Sequence, residues 1–310
     1  MKRVIVIGGG TGQSQILRAV KNITDIDLKT IVSMADDGGS TGRLRDIFNI
    51  PAIGDIRSVM IALSEDESLL TKLMDYRFSD DAKELSGHSL GNLILTALIE
   101  NSSSFLDTIY QMSRFLKIKG EIIPSTSFNI TLSSLMKDGS IVDGEHRIRK
   151  SKGSIEKVFY KNKVYANPLA ITAILEADVI IYSIGSLFTS ILPNLIIPDI
   201  KEALANSLAS KIYFCNAMSE EGETTDYSLE DHVNALIEHT GCPLDVVVHA
   251  CDDIPEAVLD SYAKENAKPV KITQNNHDFK IIKTPLLEFE NKLIRHDPLK
   301  LMAILERILK

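Results

Sequence analysis

The stretch that decides the fold is residues 4–20, VIVIGGGTGQSQILRAV. Residues 4–7 are a short run of β-branched apolar residues followed by glycine, which is typical of a buried strand. Residues 13–21 carry apolar side chains at helical spacing, and residues 28–34 form a second apolar run. A strand, a glycine turn, a helix and a strand in this order make a βαβ unit, which predicts a parallel sheet.

The same alternation returns in the C-terminal half of the chain. Further strands are predicted at residues 178–183, 211–215, 246–249 and 269–272. Helices are predicted at 56–63, 68–76, 89–100, 108–116, 229–239, 255–264 and 298–309. From about residue 118 to 167, glycine-containing turns separate short extended runs, which indicates antiparallel hairpins. We therefore predict one doubly wound α/β domain over residues 1–310, with a mainly parallel sheet and a small β-rich insertion at about 118–167.

The composition indicates a globular protein with an acidic surface. The chain has 34 basic and 42 acidic residues, a net charge of -8 and a pI near 5.4. Such a surface repels nucleic acids and anionic membranes, so neither is an expected partner. No apolar run is long enough for a signal peptide or a membrane span, and the three cysteines are expected to be reduced. We expect a cytoplasmic protein in which local positive charge or oriented amides would bind any phosphate ligand.

The glycine loop GGGTG at residues 8–12 is the first candidate site. Glycines let the backbone approach a phosphate closely, and the following helix offers free amides and the positive end of its dipole. Residue 13 is Gln, so the loop is not a complete GxGxxG, and no Lys-Ser/Thr follows as in a P-loop. The alternative is a tight turn without a ligand. The candidate residues are Gly9, Gly10, Thr11 and Gly12.

A second glycine loop, DDGGSTGR at residues 36–43, follows the second predicted strand. Asp36 and Asp37 could accept ribose hydroxyls or hold Mg²⁺ against phosphates. The remaining candidates are a backbone nest with a nearby cation, formed by Gly38, Gly39, Ser40 and Arg43. The alternative is a flexible surface loop. Two glycine loops after neighbouring parallel strands are expected to meet at one edge of the sheet.

Several polar residues at predicted helix starts and strand ends are weaker candidates. They are Asp55, Arg57, His88, Asn92, Asn167, Gly185, Ser186, Thr189 and Asn216. For Asp55, His88 and their neighbours, helix capping alone is the alternative. The basic residues 146–152 are interpreted as an exposed strand edge, and the acidic residues 220–224 as solvated surface.

The order of motifs along the chain is specific: GGGTG, DDGGSTGRLR, GDIR, GHSLGNL, GSLFTSILPNLI, GET before DHV, and RHDP. This set, from residue 4 to 298, resembles the gluconeogenesis factor (YvcK) family, which is related to the 2-phospho-L-lactate transferase CofD. Three positions depart from the usual pattern: Ala35, Ser58 and the pair Ser183-Ile184. The last of these leaves the contacts of Gly185 and Ser186 open.

The resemblance implies a Rossmann-like domain with an inserted subdomain. The CofD branch transfers a phospholactyl group from a nucleotide-linked donor, with Mg²⁺. The gluconeogenesis factor branch is cytoplasmic, binds UDP-sugars such as UDP-N-acetylglucosamine, and acts in cell shape and wall (peptidoglycan) synthesis during gluconeogenic growth. Tyr262 and Arg295 fall where that branch is expected to hold the nucleotide sugar.

Three hypotheses for the function follow, in decreasing order of preference. The first is a regulatory protein that binds a UDP-sugar and needs no cofactor. The second is a 2-phospho-L-lactate transferase-like enzyme in which Asp36, Asp37 or both hold Mg²⁺. The third is an NAD-type dehydrogenase, which the glycine spacing disfavours. No catalytic residue is assigned, and the oligomeric state and any protein partner stay open.

Overall fold

A computed structural model describes residues 1–65 and 69–310 of the chain. The strands of these residues are β1 (Lys2–Gly8), β2 (Ile26–Val32), β3 (Glu121–Pro124), β4 (Leu132–Met136), β5 (Ile141–Asp143), β6 (Ile155–Tyr160), β7 (Val179–Tyr182), β8 (Ser210–Phe214), β9 (Val246–Ala250), β10 (Lys280–Thr284), β11 (Leu287–Glu290) and β12 (Leu293–His296). The α-helices are α1 (Gly10–Val20), α2 (Gly39–Phe48), α3 (Gly54–Leu63), α4 (Leu69–Asp75), α5 (Leu90–Asn101), α6 (Phe105–Phe115), α7 (Glu145–Lys150), α8 (Pro168–Glu176), α9 (Leu192–Leu195), α10 (Pro198–Asn206), α11 (Leu229–Thr240), α12 (Glu256–Ala263) and α13 (Pro298–Leu309).

Seven of the strands form one sheet in the order β10-β9-β8-β7-β1-β2-β3. Every neighbouring pair in this sheet is parallel. The chain therefore adds β2 and β3 on one side of β1, and β7 to β10 on the other. This arrangement confirms the predicted doubly wound, Rossmann-like α/β fold. The strand order reverses between β1 and β7, and ligands of such folds bind outside the carboxyl ends of the strands at this point.

Helix α1 is fastened to the sheet by one buried polar side chain, Gln13. Its Nε2 donates to Oγ1 of Thr30 at 2.8 Å and to the carbonyl oxygen of Ile31 at 2.9 Å, both on β2. A complete dinucleotide fingerprint has glycine at this position, which lets the helix pack closely on the strand. Here a glutamine fills the space and bonds to the strand instead, which accounts for the incomplete GxGxxG.

A three-stranded antiparallel sheet of order β5-β4-β6 forms the insertion between β3 and α8. Strand β3 lies within residues 118–167 but pairs with β2, so it belongs to the main sheet. The interpretation of residues 146–152 as a strand edge was wrong, because most of this segment belongs to helix α7. This short helix packs on β4 and β5 and reaches the carboxyl edge of the main sheet.

The C-terminal region differs from the prediction in two places. The predicted strand 269–272 was wrong, because only an isolated bridge joins Pro269 to Met218 there. The last parallel strand is β10, and it is followed by the unpredicted antiparallel hairpin β11–β12. The predicted helix 68–76 begins outside the described residues, and α4 occupies the part that the structure describes. None of the helices described is long and apolar enough to cross a bilayer.

Candidate functional site

The loops after β1 and β7 approach each other where the strand order reverses. A Cβ atom at Gly12 would lie 2.1 Å from the carbonyl oxygen of Ile184, so only glycine permits this approach. Gly185, the next residue, has a φ of +150°, which residues with side chains rarely adopt. The close approach leaves the backbone of both loops at one edge of the sheet, where a ligand can bind between them.

Three helices, α1, α2 and α3, begin at this edge, and none of them is capped by a side chain. Elsewhere, α5, α6, α8, α11 and α13 each have a Ser, Asn or Asp side chain at the N-cap that accepts from the first turn. The amides of an uncapped first turn lack intrahelical partners, and together with the helix dipole they attract anions. Helices α7, α9, α10 and α12 also lack a side-chain cap, so the convergence of three such N-termini is what makes this edge a candidate anion-binding site.

A cleft of about 460 Å³ opens over these three N-termini, and we call it the first cleft. Its wall also includes helix α7 of the insertion and the segment that follows β7. The predicted site residues that line it are Gly9, Gly10, Thr11, Gly12, Asp36, Gly38, Gly39, Ser40, Asp55, Arg57, Asn92, Gly185, Ser186 and Thr189. The structure thus brings together residues from all the predicted glycine loops.

Three carboxyl groups, those of Asp36, Asp55 and Glu145, face the first cleft. Burial raises the pKa of Asp55 well above its ordinary value, and the neighbouring Asp36 and Glu145 raise it further. Burial also raises the pKa of Glu145 to about 8, although Arg149 opposes this shift. Asp36 accepts the Gly38 amide at 2.9 Å. These groups bring acceptors for hydroxyl or cationic partners into the cleft beside the helix amides.

The segment after β7 is held by the acidic loop that had been interpreted as solvated surface. Ser186 Oγ donates to Glu220 Oε2 at 2.5 Å, and Thr189 Oγ1 donates to Glu223 Oε1 at 2.9 Å. Glu223 is 3% exposed, so its interpretation as solvated was wrong. Burial, with Glu220 nearby, raises the pKa of Glu223 to about 8. Residues 187–191 form a π-helical turn, a feature that often occurs at functional sites.

A second cleft of about 670 Å³ continues from the first, and we call it the second cleft. Tyr262 of α12 and Asn216 both line it, together with the apolar residues Met218 and Ile294. The backbone amide of Ile294 donates to the Tyr262 hydroxyl oxygen at 3.1 Å, which fixes the ring against the β11–β12 hairpin. The residues common to both clefts are Gly12, Gly185 and Arg149. They define the junction between the two clefts.

Five predicted residues line neither cleft: Asp37, Arg43, His88, Asn167 and Arg295. The first four have structural partners. Asp37 accepts the backbone amide of His146 at 2.8 Å, and Arg43 donates to the Ser86 carbonyl at 2.6 Å. Asn167 caps α8.

His88 and Arg295 lie just behind the site. His88 Nδ1 is 3.0 Å from Ser40 Oγ, and Asn92 Nδ2 donates to the same oxygen at 3.2 Å, so His88 acts on the first cleft through Ser40. Burial lowers the pKa of His88. Arg295 is exposed on β12 opposite Glu288, whereas its neighbours Ile294 and His296 line the second cleft.

The insertion contributes residues to the site that were not predicted from the sequence. Glu145, His146 and Arg149 of α7 line the first cleft, together with Thr41, Gly54, Ser58, Arg77 and Ser190. The available signal was the short charged segment EHRIRK between two glycine-containing turns. A charged helix of six residues has no apolar period of its own, so the sequence could not show which way it faces.

The acidic residues of the first cleft include candidate ligands for a Mg²⁺ ion. In the described part of the chain, no three His, Cys, Asp or Glu side chains form a ready metal-binding group. Mg²⁺, however, is commonly held by one or two carboxylates together with substrate phosphates and water. Asp36 and Asp55 supply the hard oxygen donors for such a site, whereas Asp37 is turned toward α7.

Comparison with known proteins agrees with this architecture. The model of the family described as 2-phospho-L-lactate transferase CofD matches residues 4–287. The chain belongs to this family. It is 39% identical to the gluconeogenesis factor of Bacillus subtilis over 313 residues, covering 99% of this chain and 98% of the relative. It is 44% identical to the gluconeogenesis factor of Halalkalibacterium halodurans over 278 residues, covering 88% and 85%.

The family extends to solved structures. The crystal structure of a member of the UPF0052 family from Bacillus halodurans superimposes with a TM-score of 0.93 at 39% identity, over 100% of both chains. The predicted membership in the gluconeogenesis factor branch of the CofD family is thus confirmed. The three departures at residues 35, 58 and 183–184 do not remove the chain from it.

Proposed function

We propose that this CofD-family chain is a cytoplasmic regulatory protein that binds a UDP-sugar, with UDP-N-acetylglucosamine as the first candidate, across the two joined clefts. The observation that carries the proposal is the meeting of three uncapped helix N-termini at the topological switch point. Backbone amides and helix dipoles there favour the negative charge of a diphosphate. In this proposal the protein acts in cell morphogenesis and wall synthesis during growth on gluconeogenic carbon sources.

The two clefts differ in a way that suits the two ends of such a ligand. The second cleft has an aromatic ring at Tyr262 and apolar atoms of Met218 and Ile294, which favour a nucleobase. The first cleft has Asp36, Asp55 and Asn92, whose polar oxygens suit the hydroxyls of a sugar. The Oδ1 atom of Asn92 is buried and has no partner among the described residues, so a ligand donor would satisfy it.

Calorimetric titration with UDP-N-acetylglucosamine, GDP and NAD, each with and without Mg²⁺, tests the proposal. We expect the UDP-sugar to bind without Mg²⁺, and mass spectrometry to show it unchanged after incubation. If none of the three nucleotides binds, the proposed function is wrong.

Tyr262 provides a matched pair of variants for the nucleoside end. Tyr262→Ala removes the ring and is expected to weaken UDP-sugar binding by about 1–2 kcal/mol, the size of one aromatic stacking contact. Tyr262→Phe keeps the ring and loses only the hydroxyl that accepts from Ile294, so its affinity should stay close to the wild type. Equal affinities for all three proteins would place the nucleoside elsewhere.

The cellular part of the proposal can be examined in Bacillus subtilis lacking its own gluconeogenesis factor. We expect the wild-type chain to restore normal shape on a gluconeogenic carbon source, and Tyr262→Ala to restore it poorly. Equal rescue by the two would show that the cellular role does not depend on nucleotide-sugar binding.

A transferase is the second candidate function, and the acids of the first cleft favour it. Asp36 and Asp55 would hold Mg²⁺ together with phosphate oxygens, and the ion would supply charge neutralisation at the diphosphate. The titration with and without Mg²⁺ distinguishes the two candidate functions. Binding that requires Mg²⁺, together with a new product, would favour transfer over sensing.

A further inference from the structure

Among the arginines that line the two clefts, Arg149 is the one that forms no hydrogen bond within the described residues. Arg149 forms no hydrogen bond there, and its one ion pair joins its Nε to Glu145 Oε1 at 3.8 Å, which is too long for a hydrogen bond. Its side chain is 58% exposed, so the guanidinium is free to move toward a ligand. An arginine with five unused donors at the wall of an anion-binding cleft is poised to bind the anion itself.

The other arginines of the first cleft are already engaged. Arg57 Nη1 donates to Asp75 Oδ1 at 2.8 Å and to the Met74 carbonyl at 3.1 Å. Arg77 Nη1 donates to the Gly87 carbonyl at 2.6 Å. These contacts engage both guanidiniums and leave Arg149 as the uncommitted arginine of the first cleft.

The position of Arg149 is as informative as its free donors. It lines both clefts, and it shares the junction with Gly12 and Gly185. A ligand that occupies both clefts lies beside these shared residues, Arg149 of α7 and Gly12 in the first turn of α1 among them. In a nucleoside diphosphate sugar the group between the nucleoside and the sugar is the diphosphate.

We infer that Arg149 binds the diphosphate of the ligand at the junction and thereby fixes its direction, with the nucleoside in the second cleft and the sugar in the first. The inference rests on the proposed function and adds to it a specificity residue from the insertion. The α1 amides contact the diphosphate from the sheet side, and the guanidinium contacts it from the α7 side. The carboxyl groups of Asp36, Asp55 and Glu145 in the first cleft suit sugar hydroxyls, whereas the apolar atoms of Met218 and Ile294 in the second suit a nucleobase, which supports this direction.

The same contact links the ligand to the insertion. Helix α7 is held at its start by Asp37, which accepts the His146 amide, and it packs on β4 and β5. When Arg149 turns from Glu145 to the diphosphate, the three-stranded sheet and the two clefts share one interaction. The insertion then contributes directly to ligand binding.

The test compares Arg149→Ala with Arg147→Ala by titration with UDP-N-acetylglucosamine and UDP at low and high salt. Arg147 carries the same charge on the same helix but lines neither cleft. Arg149→Ala should weaken the binding of both ligands by roughly 10- to 100-fold, which is typical of losing hydrogen bonds to a charged group. It should also reduce the salt dependence of binding. Arg149→Lys should fall between the wild type and Arg149→Ala, because lysine keeps the charge but loses the fork. Arg147→Ala should match the wild type.

Each other result has a definite meaning. If the wild type binds UDP-N-acetylglucosamine and Arg149→Ala binds it equally well, the inference is wrong and the proposed function stands. If Arg147→Ala weakens binding as much as Arg149→Ala, the effect is one of general charge on α7, and the specific contact is refuted. If the wild type binds neither ligand, the proposed function fails and the inference fails with it.

Discussion

Substitution of Gly12 by alanine tests whether the contact between the two loops holds the site together. The new Cβ would lie 2.1 Å from the Ile184 carbonyl oxygen, 2.5 Å from its carbonyl carbon and 2.9 Å from the Gly185 nitrogen. All three are backbone atoms, so the loop after β7 must move by about 1 Å to restore ordinary van der Waals contact. Gly12 is not among the glycines with positive φ, so the penalty comes from this contact and not from backbone strain.

Two opposing terms set the expected size of the effect. Alanine inside a helix is favoured over glycine by about 1 kcal/mol, whereas overpacking against a fixed backbone costs about 1–3 kcal/mol or more. We expect the free energy of unfolding to fall by about 1–2 kcal/mol, which for a chain of 310 residues corresponds to a decrease in Tm of roughly 1.5–3 °C. Because the junction opens, UDP-N-acetylglucosamine should also bind more weakly.

Thermal and urea unfolding measure the first effect, and calorimetry measures the second. Gly153→Ala is the matched control, since its Cβ would meet only the flexible end of Met136 at 3.1 Å. The control should stay within about 0.5 kcal/mol of the wild type, as surface substitutions commonly do. If Gly12→Ala were as stable as the wild type, or more stable, the close approach would not constrain this position.

Two further substitutions address the charges around the site. The pKa of Glu223, raised to about 8 by burial, lies above its unfolded value, so its contribution to stability is complete below pH 4.5 and is lost as the pH rises toward 8. Between pH 5 and pH 8, the free energy of unfolding should therefore fall by about 2–4 kcal/mol less in Glu223→Gln than in the wild type. Urea unfolding measures this difference, and an unchanged pH profile would contradict the prediction. Arg45 donates to the Asp36 carbonyl at 2.6 Å, to the Ile130 carbonyl at 2.6 Å and to Asn129. Arg45→Lys should lower the free energy of unfolding by about 2–4 kcal/mol in the same assay, because lysine cannot make these hydrogen bonds at the same time. An unchanged urea midpoint would show that they do not stabilise the protein.

The strands at the centre of the sheet could be predicted from the sequence. β1 and β7 are continuous apolar runs because parallel strands are buried on both faces, and each is followed by a glycine-containing loop. Strand β10 has the sequence KIIKT and its residues are exposed or half-buried, because it lies at the edge of the sheet. A prediction from buried apolar runs therefore favours the segment near residue 270, although that segment forms only an isolated β-bridge.

The candidate site was predictable only where neighbours in sequence are neighbours in space. Helix α1 follows β1 after one residue, and α2 follows β2 after residues 33–38, so their glycines are expected at the same edge of the sheet. Glu223 is buried and accepts a hydrogen bond from Thr189, 34 residues away. The sequence of the acidic loop gives no indication of this partner. Arg149 lines the junction because α7 packs on β4 and β5 and reaches the edge of the main sheet, and this tertiary arrangement has no local signal in the sequence.

The mixture of amides and carboxyl groups at one edge explains how one scaffold could serve both candidate functions. The helix N-termini attract phosphate, and the carboxyl groups of Asp36, Asp55 and Glu145 line the same cleft. On the proposed function, a diphosphate without a metal is held at the junction by Arg149 and the first turn of α1. Mg²⁺ held by Asp36 and Asp55 would reverse the sign of the local charge and draw the phosphates inward, toward the geometry of a transfer reaction. Because burial raises the pKa of Asp55 and Glu145, protons compete with the metal for these oxygens. On the proposed function, the protonated and metal-free first cleft is thus the state that binds a sugar and leaves its diphosphate at the junction.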